Sequence, residues 1–255
     1  MVVLLCGVNA QLQVDHFRLC YWQLKAMVGP GRAGPISSLD AMAERARGAR
    51  ISGRRTVRHH PEWRRAFDIA IAAAALLSLL PVMLLTGLAI RIQDGGPVLF
   101  RQVRIGRDGR PFDCLKFRTM RADAEARLPG MIDAEWRTAR KFRHDARVTR
   151  LGGLLRRSSV DELPQLVNVL RGEMSLVGPR PIVFEEAALY GRRLVLYCAV
   201  RPGLTGLWQV SGRNDVTYRR RIAMDAWLVR NLTLRVYFAI LARTVPAVLS
   251  RRGVY

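Results

Sequence analysis

Residues 69–90 are apolar apart from Ser78, Pro81, Thr86 and Gly87, a run long enough to cross a bilayer as a helix. Its flanks constrain it further. Arg54, Arg55, Arg58, Arg64 and Arg65 precede it, and Arg91, Arg101, Arg104 and Arg107 follow it. Arginine clusters beside membrane segments stay on the cytoplasmic side, and here both flanks qualify. A simple span would carry one cluster across the bilayer. The charge pattern therefore predicts a helix that enters, breaks at Pro81 and returns. Proline supplies the break, because it cannot donate to the Leu77 carbonyl and its ring clashes there. Ser78 is placed to satisfy a freed backbone acceptor where water is absent. The alternative is an ordinary span with a proline kink.

The charge is extreme: 42 Lys+Arg against 20 Asp+Glu in 255 residues, a formal net charge of +22. Such a balance asks for anionic company, whether nucleic acid, anionic lipid or phosphorylated substrates. Lysine occurs only at Lys25, Lys116 and Lys141, so Lys116, set between apolar Leu115 and Phe117, stands out from the arginine background. Cys6, Cys20, Cys114 and Cys198 have no CxxC spacing, which speaks against a disulfide framework or a zinc site. Residues 1–63 read as a basic, disordered N-terminal extension, broken by Gly29-Pro30-Gly31 and Gly34-Pro35, with residues 43–65 Arg-rich and nearly free of large apolar side chains and no chemistry assigned. Residues 64–92 form the membrane segment and 93–255 the domain that follows.

That domain reads as α/β. Short strands are expected over residues 97–100 and 111–117, around a turn at Gly106-Arg-Asp-Gly109. Residues 161–170 carry Leu163, Leu166, Val167 and Leu170 on one helical face, stopping near Gly172. Residues 175–181 and Arg201-Pro-Gly203 read as turns, and residues 190–199 as a helix. Residues 223–252 mix Trp227, Leu228, Tyr237 and Phe238 with Arg230, Arg235 and Arg243. They suit an amphipathic segment in the membrane interface, with a buried core helix as the alternative.

The chemistry centres on Asp161-Glu162. Adjacent carboxylates raise one another's pKa unless positive charge shares the site, and a divalent ion is one natural partner. The structural alternative is a helix start: Ser159-x-x-Glu162 has capping-box form, whereas an Asp161 N-cap would put Pro164 in the tolerated first turn. Around the pair lie Lys116-Phe-Arg-Thr-Met120, Arg156-Arg157, Gly178-Pro-Arg-Pro181 and the stretch from Arg201 to Arg213. Arginines pinned by Pro and Gly turns are preorganised forks for phosphate. Taken together they describe a site for a doubly phosphorylated substrate and a metal.

This set closely resembles the bacterial monotopic phosphoglycosyl transferases, the sugar transferases that start exopolysaccharide assembly. The strongest stretch is Asp161-Glu-Leu-Pro-Gln-Leu-Val-Asn-Val-Leu-Arg-Gly-Glu-Met-Ser-Leu-Val-Gly-Pro-Arg-Pro181, and the likeness covers everything after about Pro61. It implies a small membrane-associated monotopic α/β domain with a re-entrant N-terminal helix, interfacial amphipathic helices and a cytoplasmic face at the inner membrane. It implies transfer of a hexose 1-phosphate from a UDP-sugar to a polyprenyl phosphate such as undecaprenyl phosphate, with UMP released. Asp161 would be the nucleophile and Glu162 would help it hold Mg²⁺. Lys116, Arg118, Arg156, Arg180 and Arg201 would bind phosphates, with Asp225 a lesser polar contributor. Membrane lipids, and homo-oligomer or polysaccharide-assembly partners, follow from the same likeness, and nucleic acid does not. Three positions depart from the family pattern: Leu80 rather than Ser precedes the helix proline, and the tail shows Trp227 where the family has Tyr and Val236 where it has Asp. A competing reading is a non-catalytic basic membrane-surface protein that binds anionic lipid or nucleic acid, although the aromatics lie mostly outside the basic runs and serve base stacking poorly.

Overall fold

The computed structural model describes residues 63–121, 123–124 and 145–250. The expected extension lies outside these apart from Trp63, which opens the first helix, α1 (Trp63–Asp94). Ala and Leu dominate this helix and favour it intrinsically. Among the described residues it is the one helix long and apolar enough to cross a membrane, and only 11% of its most apolar stretch is buried. A core helix would be mostly covered. Instead Leu77, Leu84, Leu85, Leu88 and Ile92 face outward.

The helix does not break at Pro81. It stays helical through that residue, correcting the expected interruption. Ser78 is also used differently: its Oγ donates to the Ala75 carbonyl at 3.1 Å, not to the acceptor freed at Leu77. Both ends of α1 are tied to the same globular body, so the loss of one backbone hydrogen bond is tolerated within a helix that packing holds. At its start, Arg64 donates to the Leu232 carbonyl. Arg65 caps the last turn of a later helix through the carbonyls of Val169 (2.5 Å) and Leu170 (2.8 Å). Asp68, fully buried, takes three donors on one oxygen: Ser175 Oγ (3.1 Å), Leu176 N (2.9 Å) and Tyr237 Oη (2.8 Å). At its end, Ile90 packs with Phe117 and Leu155, and Asp94 forms a two-point ion pair with Arg118.

Strands β1 (Leu99–Ile105) and β2 (Pro111–Phe117) form an antiparallel hairpin in register from Leu99↔Phe117 to Ile105↔Pro111. β1 runs past the expected residue 100 because Phe100, Gln102 and Arg104 keep their ladder partners on β2. The expected turn is present, with Asp108 and Gly109 at positive φ. Helices α2 (Arg150–Ser158) and α3 (Gln165–Arg171) follow, and α3 ends at Gly172 in the left-handed region, as its position after the last apolar residue predicts.

Residues expected as turns form a second sheet. β3 (Ser175–Val177) pairs in parallel with β4 (Gly203–Thr205), Ser175 opposite Gly203 and Val177 opposite Thr205. The backbones meet so closely that a Cβ on Gly203 would lie 2.0 Å from Gly178 N. Glycine here makes the pairing, not a turn. The crossover carries α4 (Phe184–Tyr190) and α5 (Leu194–Cys198), so the helix expected over residues 190–199 is split by a 3₁₀ turn at Gly191–Arg193.

α6 (Leu207–Ser211), α7 (Tyr218–Asn231) and α8 (Leu234–Leu249) complete the chain. The core gathers Phe112, Leu166, Val169, Leu176, Leu228 and Tyr237 around Ala72 of α1. The tail is thus two helices with core faces, while Trp227, Leu234, Phe238, Val245 and Leu249 remain exposed on the other side. The core-helix alternative describes one face of this segment, and the other face is apolar and exposed. The mixed α/β class stands.

Candidate active site

Thr149 caps α2 by accepting from Gly152 N at 2.9 Å. Gly152 then lies against Thr119, where a Cβ would sit 1.9 Å from the Thr119 carbonyl oxygen. Only glycine permits that approach, and it brings Arg156 Nε to Thr119 Oγ1 at 2.9 Å. After α2 the chain turns through Ser159 in the left-handed region (φ 59°) into a single 3₁₀ turn, Val160–Glu162. Such a conformation costs a non-glycine residue about 1–3 kcal/mol and concentrates at functional sites. Neither expected cap forms. Ser159 makes no side-chain cap, and α3 starts after Pro164, so Asp161 stands ahead of the helix with its carboxylate committed to nothing.

Asp161 is 8% exposed and has no hydrogen-bond partner among the described residues. Burial, then the neighbouring Glu162, push its carboxyl up to about 6, against the pull of Lys116, Arg156 and Arg180. Glu162 is the reverse case. Its burial is outweighed by Lys116 Nζ at 2.7 Å and Arg180 at 3.3 Å, both on Oε1, which hold it well below the usual carboxylate range. One acid is kept ionised by its cations, while the other is made more basic beside it.

Both carboxylates line a cavity of about 1100 Å³. Lys116, Arg118, Arg156 and Arg180 line it too, so the structure brings together most of the residues picked out from sequence. Arg118, however, is committed to Asp94 and clasps the end of α1 to β2. Arg201 does not line the cavity: its Nε donates to the Gly172 carbonyl at 2.7 Å, capping α3. Asp225 is also outside the wall. It accepts from Tyr190 Oη at 2.9 Å, and burial pushes it up to about 7. Arg201 and Asp225 thus stand apart from the carboxylate pair, one capping α3 and the other receiving Tyr190.

Further arginines stand on the wall, Arg213 from the stretch already picked out and Arg221 beyond it. Arg213, at positive φ after Gly212, lies on the wall within the field of Glu162. Arg221 lies on the wall 4.6 Å from the Trp208 ring centroid, with Arg180 at 5.9 Å from the same ring. Arg104 donates to the Pro181 carbonyl at 2.9 Å, fixing the loop that carries Arg180. In a chain with 42 basic residues no single arginine announces itself; the helix start at Tyr218-Arg-Arg-Arg221 was the available signal.

No cluster of three or more His, Cys, Asp or Glu suited to a metal occurs among the described residues. Asp161 and the second oxygen of Glu162 are left over from the hydrogen bonding. They fit an ion that takes one or two carboxylates and completes its shell with phosphate and water. Chemically the chamber can bind a polyanion over a nucleophilic carboxylate.

Residues 59–251 match the family model described as bacterial sugar transferase. The chain is 47% identical over 198 residues to "Exopolysaccharide production protein ExoY" of Sinorhizobium fredii, covering 75% of this chain and 88% of that one. It is 42% identical to the "UDP-glucose:undecaprenyl-phosphate glucose-1-phosphate transferase" of Caulobacter vibrioides (75% and 72% covered). It is 43% identical to the "Undecaprenyl-phosphate galactose phosphotransferase" of Salmonella typhimurium, matching 41% of that longer protein.

Proposed function

The chain belongs to the bacterial sugar transferase family, and from that premise we propose that it transfers a hexose 1-phosphate from a UDP-sugar to a polyprenyl phosphate. Undecaprenyl phosphate is the acceptor that the names of two relatives supply. In the first half-reaction an Asp161 oxygen attacks the phosphorus that carries the sugar. The bond from that phosphorus to the bridging oxygen breaks, and UMP leaves with the oxygen. A sugar-phosphoryl aspartate remains. In the second half-reaction an oxygen of the acceptor phosphate attacks the same phosphorus and returns the Asp161 carboxylate. No net proton is moved.

The single observation that carries this reading is the buried Asp161 carboxylate, without a hydrogen-bond partner among the described residues, beside a Glu162 whose Oε1 already takes Lys116 and Arg180. Phosphoryl transfer asks a protein chiefly for positioning and charge neutralisation. Raised basicity makes Asp161 the better nucleophile of the pair. Glu162 gathers Lys116 and Arg180 for the diphosphate, and Arg156, Arg213 and Arg221 add positive charge along the same wall. Asp161 and Glu162 would hold Mg²⁺, which when bound supplies further neutralisation of the diphosphate.

The exposed apolar face of α1 supports a place in the membrane. Arginines at both its ends support keeping both ends, and with them the chamber, at the cytoplasmic face of the inner membrane. Galactose and glucose are the first donor sugars to try, with a role in the membrane-bound start of exopolysaccharide synthesis. A panel of UDP-sugars assayed for UMP release with undecaprenyl phosphate in detergent or nanodiscs tests the function. UMP formation that requires the lipid phosphate for turnover is expected, and none with any donor would overturn it.

A further inference from the structure

The cavity over Asp161 is not polar throughout. Its wall also includes Leu79 and Val82 from the middle of α1 and Leu241, Ala247 and Val248 from the second half of α8. Thr244, the polar side chain there, has spent its hydroxyl proton on the Ile240 carbonyl (2.7 Å) and accepts from Thr205 Oγ1 at 2.9 Å, so it turns no donor to the space. The same wall carries Lys116, Arg156, Arg180 and Arg221. A single space with an anion-binding end and an apolar arm fits an amphiphile that has an anionic head and a hydrocarbon tail. Val82 is 43% exposed and borders the outward apolar face of α1, so the arm opens where lipid would lie.

We propose that this arm, between Leu79 and Val82 of α1 and Leu241, Ala247 and Val248 of α8, holds the head-proximal isoprene units of the acceptor while its phosphate reaches Asp161. The inference rests on the transfer reaction proposed above and adds where the lipid runs. α1 then has two apolar faces with separate tasks: the outer one meets bulk lipid, and the inner one, with α8, takes one chain out of it. The donor, which carries no hydrocarbon tail, needs only the charged end.

Chain-length dependence tests the arm. Filling it with Ala247→Trp or Val248→Trp should remove the advantage of a long polyprenyl phosphate over methyl phosphate, which has no isoprene unit, by about ten-fold or more, the scale on which apolar pockets discriminate. The rate with methyl phosphate should change far less. Equal losses with both acceptors, or no loss with either, would overturn the proposal. Unaltered protein gives a second readout that does not depend on the variants folding. A farnesyl phosphate bearing a diazirine on its second isoprene unit should label peptides containing Leu79 or Val82 and Leu241 to Val248. Labelling confined to the outward residues Leu84, Leu85 and Leu88 would overturn the arm while leaving the transfer reaction standing. Absence of UMP release by unaltered protein with every donor and acceptor would overturn both.

Discussion

The junction around Asp68 and the chamber around Asp161 each bury an aspartate, and they treat it in opposite ways. At the junction, a hydroxyl, a backbone N–H and a phenol converge on one Asp68 oxygen and tie α1 to β3 and α8. In the chamber, Asp161 receives no hydrogen bond from the described residues, although Lys116, Arg156 and Arg180 all act on its charge. Burial alone does not separate structure from chemistry. What separates them is whether the fold spends its donors on the carboxylate or leaves it for a ligand.

The largest expected effect belongs to the chamber. Asp161→Asn keeps the shape and removes the nucleophile, so turnover should fall by about a thousand-fold or more with the circular dichroism spectrum unchanged. In the unaltered protein the rate of UMP formation should drop as pH falls through about 6, because Asp161 must be ionised to attack. Turnover within two-fold of normal in Asp161→Asn would erase the contrast between the two aspartates.

The matching change at the junction is Asp68→Ala. It strands three donors, two of them in the core, and should cost about 3 kcal/mol or more of stability. Thermal unfolding in detergent reads this as a lower Tm. A variant as stable as the parent would show that the junction is no latch.

Glu162→Gln comes next. Losing the negative charge releases Lys116 and Arg180 from their shared oxygen, and turnover should fall about a hundred-fold while leaving a measurable trace. A loss equal to that of Asp161→Asn would make the pair one functional unit rather than nucleophile and organiser.

The smallest effect concerns Asp225, which has a partner but too little solvation. Its folded carboxyl is raised to about 7 from an unfolded value near 4. A raised carboxyl favours the fold while protonated, so that contribution is lost as pH rises through about 7. Relative to Asp225→Asn, the parent should lose on the order of 1 kcal/mol between pH 5 and pH 8, after allowing for relaxation of the site. A pH-independent difference between the two would place Asp225 outside the titrating groups.

Much of the chamber was legible in the sequence because charge and covalent stiffness are local. Asp161-Glu162, Lys116 between apolar neighbours and Arg180 between prolines each carry their signal within a few residues. Long-range pairing was not legible. β3 and β4 are three residues each, too short to show a period, and the glycines and prolines that allow their contact read as turns. Arg201 was drawn into the site by that same local grammar, and Asp225 by the family resemblance. The fold uses Arg201 to cap α3 and Asp225 to receive Tyr190. Pro81 gave a true signal of a missing hydrogen bond, but anchors at both ends of α1 kept the helix intact.

Intact-protein mass spectrometry after incubation with a UDP-sugar and no lipid acceptor probes the nucleophile most directly. With the correct donor, a mass increase of one hexose phosphate is predicted, mapping to the peptide that holds Asp161, vanishing on addition of polyprenyl phosphate and absent from Asp161→Asn. Full turnover with acceptor but no adduct under any trapping condition would contradict the two-step account and leave Asp161 without its role.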